Sequence, residues 1–495
     1  MLPVNCGSHK DYQDFVVKNL RKHYPHLDHL ARSTWDSIER FWHLDLSGVD
    51  LSLANKYSRF GPAPRTPSCM LRSYLLSIEF KVSSITQWAA QLKLNPLFAV
   101  LSGFEFGDTP GVGTFYDFFD RLWNSDDNHM SPHIHPLKNK VKKPSAKGEK
   151  AQSVEKVTVA ELLPQLEQTT FQLDSQPYSS LFTIYQKEFL AVSVEKGLIH
   201  KDHLALAGDG TPVVTSHRER KKRICDCKKN GIFDCKCDRY FSQPDCDIGW
   251  DSSRDCFYHG YDLYMLVDSQ SDLPVFPLYS CASKHDSHGF LEAFFRMKAF
   301  LPDYHVEKIL LDSAHDAMPY YQYFKRVGIT PFIDLNGKGG RPPVYKNDFT
   351  IDTDGVPLCP CGHRMRRDGI EVAKGRMKFK CPKISRSGGS ISCTCETPCS
   401  NAKYGRTVHL VLNDNPRLFN NPPRSSKEWK LEYNARISAE QSNKRAKLDF
   451  KLEDGRHRST KMWYCRLYHI LMLQHLNAWD LPSESPLRKL ILDAA

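Results

Sequence analysis

Two short apolar runs, Leu204-Ala205-Leu206-Ala207 and Ile309-Leu310-Leu311, each run out into an aspartate: Asp209 after Gly208, and Asp312 directly. Short runs that are apolar at every position belong to strands covered on both faces. A chain holding two of them, with strand and helix segments between, is committed to an α/β arrangement. Tyr261 to Val267 and Val275 to Ser280 are predicted strands, and Phe290, Phe294, Phe295 and Met297 mark a helix. A helix over Met318 to Val327 and a strand at Ile329 to Ile333 follow. Carboxylates at two strand ends converge on one rim of a sheet. Held close they repel, and a divalent cation, magnesium or manganese, relieves that repulsion through hard oxygen ligands. Taken singly, either aspartate reads first as a cap for the turn after it.

A third element joins them. Residues 426–448 are predicted as one long helix, followed by another near 459–478. The first contains Tyr433, Arg436, Glu440 and Lys447, spaced Y-x2-R-x3-E-x6-K. At ~100° per residue all four fall on one helix face, and that face is polar where a core stripe is apolar. Glu and Arg four apart also form ordinary surface pairs. The functional reading makes Glu440 a third metal carboxylate, with Arg436 and Lys447 flanking it for phosphates and Tyr433 either stacking on a base or hydrogen-bonding to the backbone.

The net charge of +11 favours a polyanionic partner without proving one. Residues 336–424, rich in Gly, Pro and Cys, read as an insertion; their 16 Lys and Arg against 7 Asp and Glu carry most of that excess. Residues 1–123 read as short helices with tight breaks, suiting either a helix-turn-helix-like module or a plain bundle. Ser84 and Gln87 are an expected capping box, Asn95-Pro96 a helix start, and Thr114 a further cap. Lys138, Lys140, Lys142, Lys143, Lys147 and Lys150 mark a basic linker. No apolar stretch approaches a membrane span, and the first residues lack a secretory apolar run.

Of 16 cysteines, six fall in 225–256 and six in 359–399. With thiols expected to stay reduced, the clusters read as metal ligands before disulfides. Cys225, Cys227, Cys235 and Cys237 are expected to close a four-thiolate zinc site, behind the basic run Arg218, Arg220, Lys221, Lys222 and Arg223. Cys359, Cys361, Cys381, Cys393, Cys395 and Cys399, with His363, offer more ligands than one zinc needs and suggest a zinc-ribbon-like element. Reduced, inert thiols are the alternative for both sets. Asp286, in SKHDSHG, is expected to cap the helix after it, and Trp250 and Trp429 to pack rather than stack on bases.

Asp209 in LALAGDGTPV, Asp312 in KILLDSAHDA, and Y-x2-R-x3-E-x6-K, in that order, resemble the DDE transposases of bacterial insertion sequences. More narrowly they resemble the cut-and-paste group with the Tyr-Arg-Glu-Lys signature. MLRSYLLSIEF, LSGFEFGDTPGVGTFYDFFDRL, DCKCDRYFSQPDCDIGWDS and ASKHDS add to the likeness, which covers about 60 to 480. The resemblance implies an α/β, RNase H-like catalytic domain with a Cys-rich insertion, preceded by an all-helical N-terminal domain. Its expected bounds are a helical, DNA-end-binding domain over 1–123 and a basic linker over 124–165. The first catalytic part follows over 166–335 with a Cys-rich loop at 225–256, then the insertion over 336–425 and catalytic helices over 426–495. It implies that Asp209, Asp312 and Glu440 bind two Mg2+ or Mn2+ ions, and that Tyr433, Arg436 and Lys447 contact the transposon end. It further implies double-stranded DNA partners (terminal inverted repeats and target), a homodimer in the synaptic complex, and the bacterial cytoplasm without membrane association. A nuclease on the same fold without strand transfer, and a non-catalytic DNA-binding relative, are the competing expectations.

Overall fold

The computed structural model describes residues 7–24, 32–58, 60–132, 157–216, 222–223, 225–237, 239–337, 349–387, 390–396, 398–402, 404–482 and 486–492. The linker lysines, and Arg218, Arg220 and Lys221 of the basic run, lie outside the described residues.

The apolar run at 204 opens the central strand, β1 (Leu204–Val214). Around it stand β2 (Asp247–Asp251), β3 (Cys256–Asp268), β4 (Pro274–Cys281), β5 (Val306–Leu311) and β6 (Thr330–Ile333). β3 pairs antiparallel with β1 from Leu206 opposite Asp268 to Val214 opposite Gly260. The other edge of β3 is shared: its first residues pair with β2 and its later ones with β4, both antiparallel. On its far side β1 runs parallel to β5, and β5 parallel to β6. The result is a mixed sheet in an α/β framework. β1 is fully buried from Leu204 to Gly208, as expected of a strand lined on both faces.

Helices occupy the N-terminal region: α1 (His9–His23), α2 (Arg32–His43), α3 (Ser47–Leu53), α4 (Pro67–Glu79), α5 (Ile85–Leu94), α6 (Pro96–Ser102) and α7 (Val112–Leu122). Ser84 caps α5 by accepting from the Gln87 amide, and Asn95 caps α6. α7 starts two residues before the expected Thr114, behind Gly111, so Thr114 lies inside the helix and caps nothing. After α8 (Val159–Gln168), α9 (Ser179–Tyr185) passes through a π turn into α10 (Ala191–Glu195). Then α11 (Asp286–Phe300) connects β4 to β5, and α12 (Met318–Arg326) connects β5 to β6. α13 (Lys427–Asn434), α14 (Ile437–Lys444), α15 (Thr460–Ala478) and α16 (Pro486–Leu492) complete the chain.

α15 carries apolar residues on every face and is buried almost throughout, Arg466, His469, Gln474 and His475 included. It ties the N-terminal helices to the sheet. Tyr464 stacks on Tyr178 at 4.8 Å, and His469 meets the Tyr74 ring edge-on at 4.6 Å. His475 reaches Ser193 Oγ (2.8 Å) and the Pro274 carbonyl (2.9 Å). Burial pulls both histidines down to about 4, so they pack as neutral rings. One hydrophobic cluster runs from Val16 to Ile491 among the described residues. Each large side chain fully buried in it contributes about 1.5–3 kcal/mol.

Residues 349–419 form a second, smaller core around Ile351, Met377, Phe379, Val408 and Leu410. It is built on an antiparallel ladder of Arg366–Glu371, Arg376–Lys380 and Thr407–Val411. Arg417 anchors it to the sheet side by a two-pronged pair with the buried Asp316 (2.8 and 2.5 Å). Among the described residues no helix is long and apolar enough to cross a membrane.

Candidate functional site

β5 pairs with β1 only as far as Ala207, so beyond that point β1 has an open edge on the β5 side. Asp209 lies there, and Asp312 follows the last residue of β5. The parallel register of the two strands therefore brings their acids to one end of the sheet. Asp312 does cap the turn Ser313–His315, accepting from the Ala314 amide (3.1 Å). The same oxygen accepts from His315 Nδ1 at 2.6 Å. Nε2 of the buried His315 lies in hydrogen-bond reach of the Tyr264 hydroxyl, at 3.0 Å. Burial pushes the Asp312 carboxyl up, but the bond and charge from His315, the Ala314 amide and Arg436 outweigh it, and its pKa lies below the ordinary value.

The late helix is not continuous. α13 ends at Asn434, Ala435 and Arg436 form a turn, α14 carries Glu440, and Lys447 lies in a π turn at Arg445–Asp449. The single polar face expected for Tyr433, Arg436, Glu440 and Lys447 is thus replaced by two helices and a π turn. Nothing local marks the break, since 434–437 holds neither Pro nor Gly. It turns Arg436 inward: the guanidinium pairs closely with Glu440 and lies 3.9 Å from Asp209 Oδ1. Asn443, one turn beyond Glu440, donates to Asp209 Oδ2 at 3.3 Å. Burial, with Asp312, Glu440 and Asp286 adding to it and Arg436 opposing, raises the Asp209 pKa to about 7.

Tyr433 stacks on the buried Trp429 at 4.7 Å, with Arg436 over its ring at 6.0 Å. Lys447 is mostly covered: Nζ donates to the Pro212 carbonyl of β1 (2.6 Å) and meets Glu453 at 3.4 Å. It fastens the π turn to the end of β1.

Two further acids belong to this region. Asp262, inside β3, is buried, and Asp286 opens α11. Asp286 is not the cap expected of it: His285 holds the N-cap position and accepts from the Ser287 amide. The signal for Asp262 was its charge within the otherwise apolar GYDLYML; His315 and Asn443 carried none.

Cys225 Sγ lies 3.5 Å from Cys235 Sγ, and Cys227 Sγ 3.7 Å from Cys237 Sγ. All four sulfurs fall within 4.8 Å of one another, and theirs is the only such group of three or more His, Cys, Asp or Glu among the described residues. Zn–S bonds of ~2.3 Å at tetrahedral angles put sulfurs ~3.8 Å apart, so this set fits a zinc ion as it stands. The Cys227 amide and the neighbouring thiols pull Cys225 down to about 7, while Cys227 is pushed up to about 12 by sharing its proton with Cys225 and Cys237. In the second set Cys381 lies near Cys359, Cys393 and Cys399, and Cys395 near Cys361 and Cys393. Its sulfurs are neighbours but not closed to coordination distance.

In comparisons with known proteins, no family model and no curated protein matches the chain.

Proposed function

We propose that the chain is a metal-dependent DNA transposase of the DDE type, acting at the terminal inverted repeats of an insertion sequence. The observation that carries this reading is the meeting of Asp209, Asp312 and Glu440 around Arg436, from three distant points of the sequence. The antiparallel run β1–β3–β4, continued by parallel β5 and β6 through helices, supports an RNase H-like catalytic unit. The helices of 1–123 are read as the DNA-end-binding part. A polar cleft of about 1240 Å³, lined by Ser84, Arg254, Arg456 and Arg458 among others, adjoins the end of β1 and suits a phosphate backbone.

The three carboxylates are hard oxygen donors, which fit two Mg2+ or Mn2+ ions rather than a soft metal. When bound, those ions supply charge neutralisation at the scissile phosphate and activate the attacking water or 3′-hydroxyl. The chain's own residues prepare that position. Arg436 favours the ionised form of Asp209, which a ligand must be. Asn443 and His315 fix the orientations of Asp209 and Asp312. Tyr433, braced on Trp429, offers a ring edge to the DNA end, and Arg436 a charge to its phosphates. The Cys225–Cys237 set would hold a structural zinc. Double-stranded DNA is the partner, synapsed by a homodimer.

Replacing Glu440 with Ala should abolish metal-dependent cleavage of a duplex carrying the element's ends while leaving its binding within about twofold. Normal cleavage by that variant overturns the assignment. Joining of the cut 3′ ends to target DNA separates the transposase from a nuclease without strand transfer.

A further inference from the structure

Asp262 and Asp286 have no role in the reaction as proposed, yet they are aimed at one spot. Asp262 stands opposite Pro212 in the β1–β3 register, so its side chain shares the sheet face of Gly210. It is 5% exposed, and its Oδ2 accepts no hydrogen bond. Asp286 reaches the same place from the first turn of α11. A Cβ at position 210 would stand 2.8 Å from Asp286 Oδ1 and 3.3 Å from Asp262 Oδ1. A methyl group there would press on both carboxylates. Asp209, one residue back, points to the opposite face, toward α14. The two groups of acids thus straddle β1 where its edge is open.

The basic side chains near this pair have other partners. Lys284 pairs with Glu292, His285 bonds Ser287, and His315 is held between Asp312 and Tyr264. Burial pushes both carboxyls above the ordinary range; Asp286 and Asp209 add to it for Asp262 with Lys284 opposing, and Asp312 adds to it for Asp286 with His315 opposing. A buried and a partly buried carboxylate that converge in this way either share a proton or hold a cation. Their closeness to the metal-binding acids, and the purely oxygen donor set, favour the cation.

We propose that Asp262 and Asp286 form a further, inner divalent-cation position, taking Mg2+ or Mn2+, behind the centre formed by Asp209, Asp312 and Glu440. This rests on the reading of those three residues as a metal centre, and it adds one ion to the two they hold.

The test is Mn2+ binding to the full chain with its zinc retained, followed by the electron paramagnetic resonance signal of free Mn2+ and by calorimetry. The wild-type chain should take up three Mn2+, and an uptake of two overturns the further position. Asp286→Asn should lose one of them or weaken it at least tenfold, and Gly210→Ala, whose methyl displaces the carboxylates without removing either, should do the same. Asp262→Asn, an isosteric change, is a third arm should the alanine variant not fold. Unchanged stoichiometry and affinity in Asp286→Asn and Asp262→Asn, with binding still lost in Asp209→Asn, overturns this inference alone and points to a shared proton. Failure of the wild-type chain to bind Mn2+ overturns it together with the metal-centre reading.

Discussion

Arg436 bridges Glu440 and Asp209: its guanidinium pairs with the first and lies 3.9 Å from the second. A side-chain cation therefore balances the charge that divalent ions are proposed to balance during the reaction. Replacing Arg436 with Gln should lower stability at neutral pH by about 1–2 kcal/mol, since half-buried carboxylates lose their counter-charge. Millimolar Mg2+ should restore most of that loss. Urea unfolding with and without Mg2+ measures it; an equal loss in both conditions contradicts the bridging role.

Asp209 carries the pH dependence. Its pKa in the fold, about 7, stands above its ordinary 3.8. The fold therefore prefers the protonated form. The associated stability is fully present below about pH 4 and is lost as pH rises through 7. Asp209→Asn should thus stabilise the chain above pH 7 by at most about 4 kcal/mol, and the gain should vanish near pH 4. Mg2+ should raise the wild-type melting temperature more at pH 8 than at pH 6. A pH-independent difference between the two proteins would count against the shifted carboxyl.

His315 acts on Asp312 without reaching a substrate position. His315→Ala removes the 2.6 Å bond to Asp312 and strands the Tyr264 hydroxyl, at a cost of about 1–3 kcal/mol. Asp312 should then ionise at higher pH. The Mn2+ affinity profile should shift upward in pH, with partial rescue by His315→Asn. The wild-type bond lowers the Asp312 pKa, so its stabilisation is present above pH 4 and fades as pH falls through the folded value. An unshifted Mn2+ profile would show that Asp312 does not depend on the histidine.

Lys447 is expected to act through β1. Its ammonium is held by the Pro212 carbonyl and Glu453, and Glu453 in turn accepts from the Val214 amide. Lys447→Met should cost about 1.5–3 kcal/mol of stability. It should leave the salt dependence of DNA binding unchanged, whereas Arg436→Gln should reduce that slope by about one unit. A reduced slope for Lys447→Met would make the lysine a direct phosphate contact.

The Cys225, Cys227, Cys235 and Cys237 set should return one zinc per chain on metal analysis, lost in Cys235→Ser. Binding must displace protons, since Cys227 is pushed to about 12, so affinity should climb with pH. A second zinc, lost in Cys381→Ser, would show that the other cysteine set closes as well. No zinc in the wild-type chain would leave both sets as plain thiols.

The strands were legible because burial on both faces writes itself into the sequence as short apolar runs; β1, β4 and β5 all stand where those runs lie. α15 was legible from its length and apolarity, and Asn95 and Ser84 from local capping chemistry. The break at Ala435–Arg436 was not, because no residue there disfavours a helix; contacts to Asp209 and the buried Ser438 and Ala439 hold it. Asp286 looked like a cap because its neighbours fit one, and only the approach of α11 to Gly210 gave it another surrounding.

By itself, then, the chain's order of residues settled where most of the strands and helices form and that Asp312 ends one of the strands, since those outcomes depend on neighbours a few positions apart; Asp209 lies inside β1 and does not end it. Which acids meet was settled by tertiary structure. The register of β1 against β3 and β5, and the seating of α11 and α14 on opposite faces, depend on packing between segments tens to hundreds of residues apart, and a shift of one residue in that register would turn Asp262 to the other side of the sheet.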